Sequence, residues 1–409
     1  MSSDSSILFA NNLDYAAPIP SSVTINRVLK RQMFQNRLYS SQQTMTCVLN
    51  TGVDMVDTTN SSLVLKVKVT GGAYSCGFGT GSACNLIQNI RIFHRSGTQY
   101  TNTQRMNLYR KFDDRYTKSS NWFSTIGVLM GYDSGTVITN QITGQDTFTA
   151  IIPLNLLHPF FEPEGSKFLP SVMASGLRIE IDLSPLANAF LNGTEFEGAP
   201  TDYTIEDIYI NTMSVTLMDS AQASLNTTAS KQSLEYVYRD IFTSQNSQPS
   251  DSTTVNIDIN RSVGFCEKAI AMVQLASSIN NIETDSFSTN YYPSSWWYTL
   301  GSNQYPNQKI SDSKSAYSTA LITYDKFKAG NMSPTDVTFD TFEEGDGIYA
   351  VNLERDTALA LSASPVNSSR ALRFENTLDA TIGAASIVTI FMSYLASARS
   401  SLLSSKVDI

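Results

Sequence analysis

The chain has 409 residues, a formal net charge of −9 and a pI near 4.8. An acidic body of this kind excludes general coating of nucleic acid, which needs clustered Lys and Arg, and the length suits two packed cores better than one. Hydrophobic residues make up 41% and charged residues only 16%, with the balance in Ser, Thr and Asn, so the profile is that of a large all-β protein and not of a helical enzyme.

Residues 1–43 read as an N-terminal arm. The first twenty are polar and contain proline. SVTINRVLKRQMFQNRLYSS follows, with Arg27, Lys30, Arg31 and Arg37 and no acidic residue. Two readings stand: a solvated extension that packs on a neighbouring surface, or an arm that touches an anionic layer of nucleic acid or lipid headgroups. MSSDSSILFANNLDYAAP lacks the basic start and long apolar stretch of a signal peptide, so none is expected. Nowhere do eighteen consecutive apolar residues occur, so no membrane-spanning helix is expected either.

Strands begin near Thr44 with TMTCVLN. In LVLKVKV, Leu63, Leu65, Val67 and Val69 share one face and Lys66 and Lys68 the other. GGAYSCGFGTGSACN has neither a phosphate-loop nor a dinucleotide spacing and reads as a flexible surface loop. It carries Cys76 and Cys84; with Cys47 and Cys266 these are expected as free thiols, a Cys76–Cys84 disulfide being the alternative. LIQNIRIFHRSGTQ reads as a strand ending in a Ser-Gly turn. In MNLYRKFDDRYTKSSNWF, Met106, Tyr109, Phe112 and Tyr116 are spaced for one helix face.

Thr147 to Leu183 is the most legible stretch. Phe148–Leu157 suits a deeply buried strand, and Pro159–Pro170 a crossover. Beyond it Leu177, Ile179, Ile181 and Leu183 alternate with Arg178, Glu180 and Asp182, the period of two that marks one buried and one wet face. A connection this long between strands belongs to Greek-key sandwiches and jelly rolls. YTIEDIYINTMSVTLMD closes the first half as a strand. Asp219–Ser233 is Ser-, Thr- and Ala-rich, contains nothing that requires burial, and reads as the inter-domain connection.

The second half restarts with LEYVYRDIFTS. In TTVNIDINRS, Val255, Ile257 and Ile259 oppose Asn256, Asp258 and Asn260. CEKAIAMVQLA, SWWYTLGSNQYPNQKI, GIYAVNLERD, a segment through Leu372 and Phe374, and ASIVTIFMSYLASARSS read as strands, with AYSTALITYDKFKAG as a helix among them. The expected fold is all-β: two consecutive eight-stranded jelly rolls with short helices in loops. The expected boundaries are an arm at 1–43, a first roll at 44–220, a connection at 221–233, a second roll at 234–398 and a tail at 399–409.

Catalytic chemistry finds little purchase. His94 and His158 are the only histidines, no Gly-x-Ser-x-Gly accompanies them, and no acidic cluster adjoins them in sequence. FEEGDG, with Glu343, Glu344 and Asp346, lacks the spacing of a calcium loop and reads as a solvated loop. Trp296, Trp297 and Tyr298 would suit stacking on a sugar ring, or core and interface anchoring, which is the preferred reading. No catalytic, metal-ligating or cofactor-binding residue is assigned, and no cofactor is expected.

Four segments carry a resemblance to a known family: NLIQNIRIFHRSGTQ; IIPLNLLHPFF followed by LPSVMASGLRIEIDL; WWYTLGSNQYPNQKI; and YAVNLERD followed by SPVNSSRALRFEN. Their order resembles that of the double-jelly-roll major capsid proteins of Polinton-like viruses, adintoviruses and virophages, and more distantly adenovirus hexon. The resemblance implies a homotrimer, six rolls making a pseudo-hexagonal tile, and tiles packed into the icosahedral capsid of a DNA virus. It implies partners as well: neighbouring trimers, penton and minor capsid proteins, and an inner membrane or the genome met through the N-terminal arm. The alternative from another class is a soluble β-sandwich carbohydrate-binding protein of spike or fibre type.

Overall fold

The computed structural model describes residues 24–70, 75–78, 82–132, 142–143, 147–162, 168–190, 200–231, 234–250, 252–279, 295–326, 337–354, 364–367, 370–377 and 385–400. Eight main strands build the first half: β1 (Thr24–Met33), β2 (Thr44–Val48), β3 (Met55–Thr70), β4 (Ile87–Phe93), β5 (Gln99–Gln104), β6 (Thr147–Pro153), β7 (Arg178–Leu183) and β8 (Asp202–Leu217). Eight more build the second: β9 (Leu234–Gln248), β10 (Thr254–Ile259), β11 (Val263–Leu275), β12 (Ser295–Leu300), β13 (Asn303–Ile310), β14 (Tyr349–Asn352), β15 (Leu372–Thr377) and β16 (Ser386–Ser400). The principal helices are α1 (Met106–Thr117), α2 (Asp219–Lys231) and α3 (Ser313–Thr323).

The sheets of the first half run β1-β8-β3-β6 and β2-β7-β4-β5; those of the second run β9-β16-β11-β14 and β10-β15-β12-β13. Adding eight to each strand number converts one half into the other. This is the jelly-roll order, in which the chain crosses between two facing antiparallel sheets at each step within a roll except the β4–β5 and β12–β13 hairpins.

Side-chain alternation fixes which face each strand buries. On β7, Ile179 lies between Cys47 and Ile92, and Ile181 between Met45 and Ile90, all fully buried. The opposite face carries a charge ladder: Arg91 bonds Glu180 at 3.1 Å and Asp182 at 2.9 Å, and Thr44 donates to Asp182 at 2.7 Å. Burial pushes the Asp182 carboxyl up, but the bonds from Thr44, Asn89 and Arg91 outweigh it and hold the group below its usual range. In the second half Val255, Ile257 and Ile259 turn inward while Asp258 bonds Arg373 at 2.6 Å outside. The turn between β4 and β5 has Gly97 at φ +89°, and the turn between β12 and β13 has Gly301 at φ +63°, a left-handed conformation that glycine adopts without steric cost.

Several expectations are corrected. The basic segment is no arm from Thr24 onward: Thr24–Met33 pairs with β8 along its length, because Gln32 and Phe34 turn inward while Arg27, Leu29, Arg31 and Met33 turn out. Residues 1–23 lie outside the described residues. The connection is helix α2, and it does need burial: Leu225 and Ala229, one turn apart, are buried, and Leu225 packs with Val215 and Leu217 in a small second core. The strand expected over Phe148–Leu157 ends at Pro153, and Leu154–Leu157 form a helical turn. The Gly-rich segment is no surface loop at Ser82–Leu86, a fully buried 3-10 turn, and Cys84 within it is a free thiol. The last strand runs to Ser400, two residues past the expected boundary.

Candidate assembly surfaces

The four basic residues singled out in the sequence lie on and just beyond β1, at the edge of the first sheet. Arg27 pairs with the buried Asp57, and Lys30 reaches Asp54 at 2.5 Å. The Arg31 guanidinium sits 4.0 Å from the centre of the Tyr209 ring. Arg37 is exposed beyond the strand. Three of the four charges are thus engaged by their own sheet. Beside these charges, β1 and the following turn also hold apolar side chains out to solvent: Val28, Leu29, Met33 and Leu38 are 41%, 54%, 42% and 61% exposed. Sequence reasoning missed these residues because the charges between them dominate the pattern.

Trp296, Trp297 and Tyr298 are not gathered around one cleft. They alternate along β12, so Trp296 and Tyr298 are buried and Trp297 faces outward, half-buried under the Lys309 ammonium 3.7 Å away. Tyr298 donates to the Tyr349 carbonyl at 2.9 Å and packs on Phe374. Trp296 and Tyr298 thus face the core, and the period of two turns Trp297 to the outer face, where of the two expected roles only interface anchoring is open to it.

A seam between the halves gathers a network of buried polar groups. Tyr236 donates to the Phe160 carbonyl at 2.7 Å, Tyr238 to the Tyr100 carbonyl at 2.9 Å, and Thr243 to the Gln104 carbonyl at 2.7 Å. Asp240 accepts from Tyr394 at 2.6 Å, from the Ile241 N–H at 2.8 Å and from Thr101 across the seam. Burial raises the Asp240 carboxyl above its ordinary range, and these donors temper the rise. His158 lies 3.9 Å from Asp240 yet forms no ion pair with it. Its Nδ1 accepts the Phe160 N–H at 3.0 Å, so its Nε2 carries the proton and donates to Thr103 at 2.8 Å. Burial, with help from Arg110, pushes its pKa down to about 3, and the ring is neutral.

On α1, Tyr109 and Phe112 pack on Phe391 of β16, and Tyr116 stacks on Tyr324. Arg115 pairs with Asp346, which draws part of the expected solvated loop into the seam. A cleft of about 300 Å³ opens here, lined by residues of both halves that include the ion-paired Arg239 and Glu267. His94 sits apart, buried in the turn after β4, where its Nδ1 accepts the Ser96 N–H at 3.2 Å. Among the described residues no three His, Cys, Asp or Glu side chains gather as a metal site, and no helix is long and apolar enough to cross a membrane.

This two-roll architecture extends over nearly the whole length of several solved structures. VP54 of PBCV-1, as fitted into a reconstruction of the virophage Sputnik, matches with a TM-score of 0.62 at 11% identity, over 96% of this chain and 98% of its own. The Faustovirus major capsid protein matches at 0.60 and 8% identity, over 94% and 92%. The mavirus major capsid protein matches at 0.53 and 10% identity, over 97% and 94%. The fold is a double jelly roll. No family profile and no curated protein matches the chain in sequence. The double jelly roll here has one continuous hydrophobic core, which runs from β2 and β7 of the first roll through Phe160 and Tyr238 to β16 of the second.

Proposed function

We propose that this chain is a major capsid protein: a homotrimer of double jelly rolls, pseudo-hexagonal in outline, that tiles the icosahedral shell of a DNA virus. The observation that carries the reading is the end-to-end match to major capsid proteins, with nearly all of each chain covered. The physics agrees. A wall tile needs rigid sandwiches and large lateral contacts, and two rolls welded through one core supply a stiff body. On this reading the protein is structural and not catalytic, and it works in the virion. Its partners are its own copies, neighbouring trimers, and penton and minor capsid proteins. The two rolls, joined by α2, act as the tile's two walls.

Light scattering after size exclusion tests this. The chain mass is 44.9 kDa, so a trimer has three times that, about 135 kDa. A trimer with a hexagonal outline in electron micrographs is the expected result; a stable monomer would overturn the proposal. Carbohydrate binding loses its main support with Trp296 and Tyr298 in the interior.

A further inference from the structure

The cleft between the rolls brings the three groups of one reaction together. Lys268 on β11 stands directly opposite Asn352 on β14 in the antiparallel ladder. Opposed residues share a face and hold their Cβ atoms about 4.5–5.5 Å apart, a gap that a lysine stem spans. Glu354, two residues past Asn352, falls on the same face, and all three line the cleft. The Leu353 N–H donates to the Glu267 carbonyl at 2.7 Å, which carries the pairing past the end of β14. Glu354 is thereby kept close enough to Lys268 for their charges to interact.

Each group is prepared for its part. Asn352 Oδ1 accepts the Glu354 main-chain N–H at 2.8 Å, so a donor already points at the amide oxygen that takes negative charge when a nucleophile adds. Lys268 Nζ lies 4.3 Å from the centre of the buried Tyr324 ring, and among the described residues no carboxylate forms an ion pair with it. Glu267 is engaged elsewhere, by Arg239 at 2.9 Å. Burial pushes the Lys268 ammonium pKa down, and burial with Glu267 nearby pushes the Glu354 carboxyl up. A proton passed from the ammonium to the carboxylate leaves both groups neutral, the state that burial favours for each.

We propose that Lys268 and Asn352 join through an amide bond between their side chains, with Glu354 carrying the protons. The neutral Lys268 Nζ adds to Asn352 Cγ while the Glu354 N–H steadies the oxygen. The Glu354 carboxyl gives its proton to Nδ2 and takes one from Nζ. The Cγ–Nδ2 bond breaks, ammonia leaves, and the Nζ–Cγ bond remains. Glu354 ends as it began, and no oxidant or cofactor enters. The bond has a mechanical use. β14 is an edge strand of four residues, whereas its counterpart β6 has seven and pairs with β3 through them all. A covalent tie to β11 offsets the short ladder and restricts the unfolded chain as a disulfide does.

Mass spectrometry of the purified full chain tests this. The wild type is expected to weigh one ammonia less than its sequence requires, and its tryptic digest to contain two peptides joined at Lys268 and Asn352. Lys268→Arg keeps the charge and removes the nucleophile; Glu354→Gln removes the proton carrier. Each is expected at full sequence mass, with no joined peptides and an unchanged circular dichroism spectrum. A wild type at full mass, with Lys268 open to acetylation in denaturant, would overturn the proposal, and that measurement needs no variant to fold. Loss of one water in place of ammonia would put the bond on a carboxylate and overturn the assignment to Asn352. Joined peptides that persist in Glu354→Gln would overturn the role of Glu354.

Discussion

Tyr238 donates its hydroxyl to the main-chain carbonyl of Tyr100 across 2.9 Å, from the second roll to the first. Both residues are buried, so neither group finds water if the other is lost. Tyr238→Phe should therefore cost about 1–2 kcal/mol, since it leaves that carbonyl unpaired. Urea unfolding followed by tryptophan fluorescence reads the loss. One transition should serve both rolls in the wild type and the variant. Two well-separated transitions would show that the rolls unfold independently despite their shared core.

His158 supplies a pH dependence. Its folded pKa, about 3, lies below the ordinary histidine value, so folding favours the neutral ring. That stability is fully present above about pH 6.5 and is lost as pH falls toward 3, by about 2 kcal/mol at pH 5. The buried carboxyls of Asp114 and Asp240 are raised, and they act in the opposite sense as they protonate. The histidine's effect is therefore read as a difference: between pH 7.5 and 5, His158→Gln should lose less stability than the wild type. Parallel pH profiles would refute the assignment.

Arg115 of the first roll and Asp346 of the second form a nearly buried ion pair. Removing either partner breaks the pair in a nearly buried setting, at a cost of up to about 3 kcal/mol. A double-mutant cycle of Arg115→Ala and Asp346→Ala should return a coupling energy above about 1 kcal/mol. Additive effects would mean that the pair adds nothing to the seam.

Cys47, Cys84 and Cys266 are buried free thiols. Burial raises the first two to about 12 and the third well above its ordinary range, so almost no thiolate is present near neutral pH. Maleimide labelling of the native protein, mapped by mass spectrometry, should leave these three unmodified, and labelling in denaturant should reach them all. Rapid native labelling of any of the three would contradict the burial.

Much of the architecture was legible in the chain. Wherever a strand has one wet face, as at Arg178–Leu183 or Thr254–Ile259, the period of two shows in the residues and the structure places them accordingly. β1 was not legible. Gln32 is the one buried side chain among those described on the strand, and Val28 and Leu29, on opposite faces, are both exposed, so no alternation of apolar and polar residues marks it. α2 was missed because only Leu225 and Ala229 of its thirteen residues are buried, too thin a stripe to stand out among serines and threonines.

The sequence by itself determined the strand content, the repeated jelly-roll order and the inward set of each regular strand, because alternation and turn chemistry are local. Only the tertiary structure decided what the exceptional polar residues do. Asp240, Thr101 and His158 lie far apart in the chain and meet because two rolls pack against each other. A buried polar network and an uncovered surface are both properties of packing, and residue pattern alone does not encode which side of a strand another roll will reach.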